Sequence, residues 1–209
     1  MKTNERLILE CKAWSKEKRL ADKNYFKRLT KMNGPGILWI GSSDSLFSVR
    51  EITNTEPGEI LLYQNVANQV SHEDPSFMAM LEQALISAKI ELIIVCGYGK
   101  CRGVMEVLRE ADDKPFVKRW LSGLNAIYYE HKEELDRLPM DKREKKLSEL
   151  NIQRQITNLS EINIIRNSWE QRSAPVLLGW YFDLPEGEMK EVIRLEPHRQ
   201  PEEISMYGQ

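Results

Sequence analysis

Apolar positions along the chain change period several times, and each change predicts an element. From residue 4 to 32, Leu7, Cys11, Trp14, Tyr25, Phe26 and Leu29 recur at roughly helical spacing among Lys and Glu. That predicts one or two amphipathic helices. Asn33-Gly34-Pro35-Gly36 breaks the pattern. Continuous apolar runs follow at Ile37-Leu38-Trp39-Ile40, Ile60-Leu61-Leu62-Tyr63 and Leu92-Ile93-Ile94-Val95-Cys96. Runs of that length bounded by turn residues predict strands buried on both faces. Between the second and third, Met78, Leu81, Leu85 and Ala88 share one helical face, and Asp74-Pro75 supplies an N-cap followed by proline at the first helical position. The turn Tyr98 to Gly103 leads into a predicted helix at Val104 to Leu108. Pro115 to about Asn167 reads as helical, and Asp141 to Lys146 mixes charge signs as a solvated face would. Val176 to Phe182 predicts a late strand, followed by a hairpin-like turn at Pro185 to Glu188 and the segment Met189 to Leu195.

Strands alternating with helices predict an α/β fold. We expect one domain over 1–209, a mostly parallel central sheet flanked by helices, with a helical arm at 1–33 and a loose tail at 197–209. Ligands of such sheets bind beyond the carboxyl ends of the strands. Two strand ends therefore matter most, Ser42 to Ser45 and Tyr98 to Gly103.

Composition narrows the partners. The 209 residues hold 30 Lys and Arg against 32 Asp and Glu, a net charge of -2. A global polybasic surface is absent, so no nucleic-acid partner is expected. No apolar run approaches the ~20 residues that span a bilayer. The segment Met1 to Arg6 lacks the apolar stretch of a signal peptide. The expectations are no membrane association and a cytoplasmic location. Cys11, Cys96 and Cys101 are too few and odd in number for a disulfide scaffold. His72, His131 and His198 stand apart from them in sequence, so spacing alone offers no Cys/His zinc cluster.

Several segments, taken in order, resemble one family. Trp39-Ile40-Gly41-Ser42-Ser43-Asp44-Ser45, Glu56-Pro57-Gly58-Glu59, Asn65-Val66-Ala67-Asn68 and Ile94-Val95-Cys96-Gly97-Tyr98-Gly99-Lys100-Cys101 resemble the β-class carbonic anhydrases. Gly179-Trp180-Tyr181 is similar to that family's late core strand, and Trp14-Ser15-Lys16 with Phe26 to its N-terminal helices. The resemblance implies a zinc enzyme hydrating carbon dioxide, with a Cys and an Asp from Cys-x-Asp-x-Arg and a His and a Cys from His-x-x-Cys. It also implies a homodimer or tetramer, joined through the N-terminal helices and the sheet.

The matching positions depart from that pattern. Ser42 stands for the first Cys, Leu46 for the Arg and Tyr98 for the His, while Asp44 and Cys101 are kept. A Ser hydroxyl and a Tyr phenol, with an ordinary pKa of about 10, are poor zinc donors near neutrality. If any metal binds, Asp44 and Cys101 remain as donors. The expected cofactor is none, although zinc belongs to the family. The expected function is a silent homologue, a pseudoenzyme whose remnant pocket is Ser42, Asp44, Leu46, Tyr98 and Cys101. One alternative is a carbonate dehydratase with a remade metal site. Another is an interaction scaffold using the charged stretch from about Asp136 to Arg154.

Lys100 and Arg102 offer a candidate turn for a small anion at a helix start. The plainer reading turns both side chains to solvent or to acidic partners. Cys101 reads as an inert relic before a reactive thiol, and Cys96 as core. Asp44, deprived of its Arg, needs a new partner: Tyr98, Ser42 and local backbone N–H groups are open to it, and Lys100 is a candidate for an ion pair. The resemblance further implies an inhibitory bicarbonate site in some members. Its positions here are Trp39, Gln64 and Tyr181 or Phe182, and Gln64 lacks the Arg charge such a site uses.

Overall fold

A computed structural model describes residues 3–31, 34–109 and 114–197. Asn33 of the predicted breaker and the tail expected beyond Pro197 lie outside these residues. The apolar runs form a five-stranded sheet: β1 (Ile37–Ser42), β2 (Ile60–Asn65), β3 (Leu92–Tyr98), β4 (Val176–Asp183) and β5 (Glu188–Leu195). The order is β2-β1-β3-β4-β5. β1 to β4 run parallel, and β5 returns antiparallel on β4. β1 thus lies between β2 and β3, with Trp39 beside both Leu62 and Ile94.

Alternate strand residues point to opposite faces, and two cores follow. Trp39, Ile94, Cys96 and Leu178 belong to one. Leu38, Ile40, Ile93, Val95 and Leu177 belong to the other. The helices that cover them are α1 (Thr3–Ala21), α2 (Tyr25–Leu29), α3 (Val49–Thr53), α4 (Pro75–Glu82), α5 (Arg102–Leu108), α6 (Pro115–Trp120), α7 (Ser122–Glu130), α8 (Lys132–Asp136), α9 (Met140–Glu161) and α10 (Asn163–Arg172). The first core receives Val104 and Val107 of α5 and Leu124 and Ile127 of α7. The second receives Phe77 and Leu81 of α4, Ile156 and Leu159 of α9 and Ile165 of α10. Asp74 caps α4 as its sequence predicts, accepting from the Ser76 N–H. No helix among the described residues is long and apolar enough to cross a membrane.

Two sequence expectations change, at β2 and in the mixed-sign segment. β2 is an edge strand whose burial alternates, with Leu62 exposed, so it is not buried on both faces. The helical stretch expected after Pro115 is present, as five helices with short joints. The mixed-sign segment is not wholly solvated: Glu144 is buried, and Lys145 pairs with Asp183 at 2.9 Å. α9 turns Leu147, Asn151, Ile152, Gln155 and Ile156 inward, so only its outer face is open to a partner.

Candidate functional site

β1, β3 and the start of α5 bring four of the five remnant residues, Ser42, Asp44, Tyr98 and Cys101, together at one end of the sheet. Ser42 is the last residue of β1, Tyr98 the last of β3, and Cys101 precedes α5. Ser42, Tyr98 and Cys101 are all buried. Asp44 is the hub of the group. Its Oδ1 accepts from the Ser42 hydroxyl at 2.5 Å and from the Cys101 thiol at 3.8 Å. Its Oδ2 accepts from the Arg102 backbone N–H at 2.8 Å. Its own carbonyl accepts from the Tyr98 phenol at 2.7 Å. The Ser42 hydroxyl also accepts from the Ala67 N–H at 3.1 Å, and the Cys101 sulfur lies 3.6 Å from it. Ala67 presents that N–H from a left-handed backbone, φ 60°.

These contacts assign partners that the sequence left open. Asp44 is satisfied by Ser42, Cys101 and the Arg102 amide, and among the described residues no ion pair joins it to Lys100. Leu46, in the position of the family's Arg, points outward and is 74% exposed. Lys100 and Arg102 are exposed, and the Arg102 N–H that a helix start would offer an anion is already bonded to Asp44. Of the inhibitory-site positions, Trp39 is packed against Trp180 with ring centroids 5.9 Å apart. Gln64 donates to the Ser42 carbonyl at 3.2 Å, and Phe182 packs on Phe47 at 4.6 Å.

Burial and charge suppress ionisation here. Burial, reinforced by the Asp44 carboxylate, pushes the Cys101 thiol up to about 11. Burial, with negative charge at Cys101 and Asp44, raises the Tyr98 phenol well above its ordinary value. Burial alone does the same for Cys96 inside β3. A thiol so raised is a weak nucleophile at neutral pH.

Zinc does not fit this donor set. Two of the four positions are protonated oxygens whose hydrogens are committed to Asp44, and the only thiol is a donor rather than a thiolate. Among the described residues no group of three or more His, Cys, Asp and Glu side chains converges as a metal centre requires.

Two neighbours of the site were invisible as site residues. Glu144 reaches it from α9, 6% exposed, and accepts from the Ser148 hydroxyl at 3.1 Å. Burial raises its carboxyl, and the backbone N–H groups of Lys100 and Cys101 offset part of that rise. Phe47 seals the other side, with its ring 5.7 Å from that of Tyr98. The only sequence signal for Glu144 was its place one turn before Ser148 on a helix whose inner face mixes polar and apolar residues.

Comparison with known proteins agrees with the fold. The family profile described as carbonic anhydrase matches residues 37–189. A carbonic anhydrase of Emericella nidulans is 31% identical over 191 residues, covering 91% of this chain and 83% of that protein. A solved tetrameric β-carbonic anhydrase of Sordaria macrospora superposes with TM-score 0.88 at 29% identity, covering 92% of this chain and 98% of that one. A β-carbonic anhydrase of Aspergillus fumigatus gives 0.86 at 25% identity, with 97% and 94% covered.

Proposed function

The chain belongs to the β-carbonic anhydrase family, and we propose that it is a member without catalytic zinc and without carbon dioxide hydration. The observation that carries this reading is the Asp44 hub. The carboxylate at the family's ligand position instead accepts a hydrogen bond from the Ser42 hydroxyl at 2.5 Å. Zinc makes hydroxide available by lowering the pKa of bound water to about 7. Neither the raised Cys101 thiol nor the raised Tyr98 phenol replaces that nucleophile. The remade-site alternative has only Asp44 and Cys101 to offer, and they are already hydrogen-bonded to one another.

A homo-oligomer is part of the same reading. The Sordaria relative is tetrameric by its description. In this chain α1 buries none of its residues while carrying exposed Leu7, Ile8 and Leu9, an apolar surface suited to a second copy. The small anion and the cytoplasmic location remain proposals of the sequence.

The test is elemental mass spectrometry of untagged protein from zinc-replete culture, with a stopped-flow hydration assay on the same preparation. We expect zinc far below one per chain and a rate equal to the uncatalysed one. Zinc near one per chain with hydration above background overturns the reading.

A further inference from the structure

We propose that the segment from Ser43 to Ser48 is a strap, closed without metal by Tyr98 and Ser42, that seals Cys101 in the old zinc pocket. This deepens the zinc-free reading, because the closing atoms are those at the family's ligand positions.

Three anchors hold the strap. Tyr98 donates to the Asp44 carbonyl at 2.7 Å and so grips its backbone. Ser42 donates to the Asp44 carboxylate at 2.5 Å and thereby fixes its side chain. The Arg102 N–H donates to the second carboxylate oxygen at 2.8 Å and ties the strap to the start of α5. Phe47 then wedges between Tyr98 and Phe182, with ring centroids at 5.7 and 4.6 Å. Beneath this closure Cys101 is 1% exposed. A histidine at position 98 lacks the length of a phenol and its terminal hydroxyl, and a cysteine at position 42 would offer Asp44 only a weak S–H donor in place of the Ser42 hydroxyl. The Ser42 and Tyr98 exchanges therefore act together, turning an open coordination site into a hydrogen-bonded closure.

Thiol alkylation reads this closure locally. In a Cys11→Ser background, which removes the exposed thiol, Cys96 in β3 is the internal reference for global opening. Tyr98→Phe keeps the ring and removes only the grip on the strap. It is expected to raise the rate of Cys101 labelling by iodoacetamide at fixed pH by about tenfold, with Cys96 unchanged. Tyr98→Ala, which also removes the ring under Phe47, is expected to raise it further. Should Tyr98→Ala fail to fold, Tyr98→Phe carries the test alone. A Cys101 rate unchanged in Tyr98→Phe overturns the strap, as does an equal rise at Cys101 and Cys96. Zinc content is measured on the same samples. A zinc-loaded chain would sink the zinc-free reading, whereas a zinc-free chain with an unchanged labelling rate sinks the strap alone.

Discussion

Asp183 and Glu149 titrate in opposite senses beside the same lysine. Lys145, donating at 2.9 Å, holds the Asp183 carboxyl below its ordinary 3.8, with Lys190 adding to the effect. A lowered carboxyl stabilises the fold above that ordinary value, and the contribution is lost as pH falls through the lowered one. Burial instead raises the Glu149 carboxyl, whose contribution is full below its ordinary 4.5 and is lost as pH rises through the raised value. Asp183→Asn is expected to lower the urea midpoint at neutral pH and to flatten its decline in acid. Glu149→Gln is expected to raise stability at neutral pH. Urea titrations at pH 7 and pH 3 check both, and parallel pH profiles for wild type and Asp183→Asn would contradict the assignment. At this scale the sequence was informative only where a family position marked the residue. Ser42, Asp44, Tyr98 and Cys101 come together as their motif order implies. Ser42, Tyr98 and a local backbone N–H were all open to Asp44 in the sequence, but which N–H it takes was not legible, because the Arg102 amide has no side-chain signature. Glu144 was hidden too, since one buried acid in a mixed-charge helix looks like its solvated neighbours.

At the scale of elements, the strands were readable because both faces of β1 and β3 are buried and their apolar runs are unbroken. β2 misled for a reason of topology: an edge position exposes one side of a strand, and no local pattern states which strand is the edge. α9 was legible as a helix but not as a core element, because its inner face carries Ser148, Asn151 and Gln155 beside Leu147 and Ile152. Those amides are paired inside, with Gln69 donating to Asn151 at 2.8 Å and the Val70 N–H to Gln155 at 2.8 Å. α9 lies close on the sheet because β4 has a glycine beneath it. A Cβ on Gly179 would meet Ile152 and Ile193 at 2.5 Å each. Gly179→Ala must therefore push α9 or β5 away. Overpacking of this kind costs about 1–3 kcal/mol, and in a chain of this length each kcal/mol lowers Tm by roughly 2–4 °C. A thermal melt unchanged from wild type would show that α9 and β5 yield freely, contrary to this packing.

For the whole molecule, the least satisfied part is the arm. Trp14, Tyr25 and Phe26 close α1 on α2 with edge-on contacts, Trp14 to Phe26 at 5.7 Å. That cluster uses Trp14 but leaves Leu7, Ile8, Leu9 and Leu20 exposed, at 53–77%. A helix with so many exposed apolar side chains and no buried residue gains little from its own body. A second copy supplies the missing surface in the proposed oligomer, and interface burial would then account for the composition of α1. Replacing Leu7, Ile8 and Leu9 together by serine removes apolar surface while touching neither core. The expected result in analytical ultracentrifugation is a wild-type chain heavier than a monomer and a triple variant shifted toward the monomer, with an unchanged thermal core transition at high dilution. A wild-type chain that sediments as a monomer at high concentration would refute the oligomer. A triple variant that keeps the wild-type mass would move the interface away from the arm, to the sheet edge at β2, where Leu62 is exposed on a strand paired only on its β1 side.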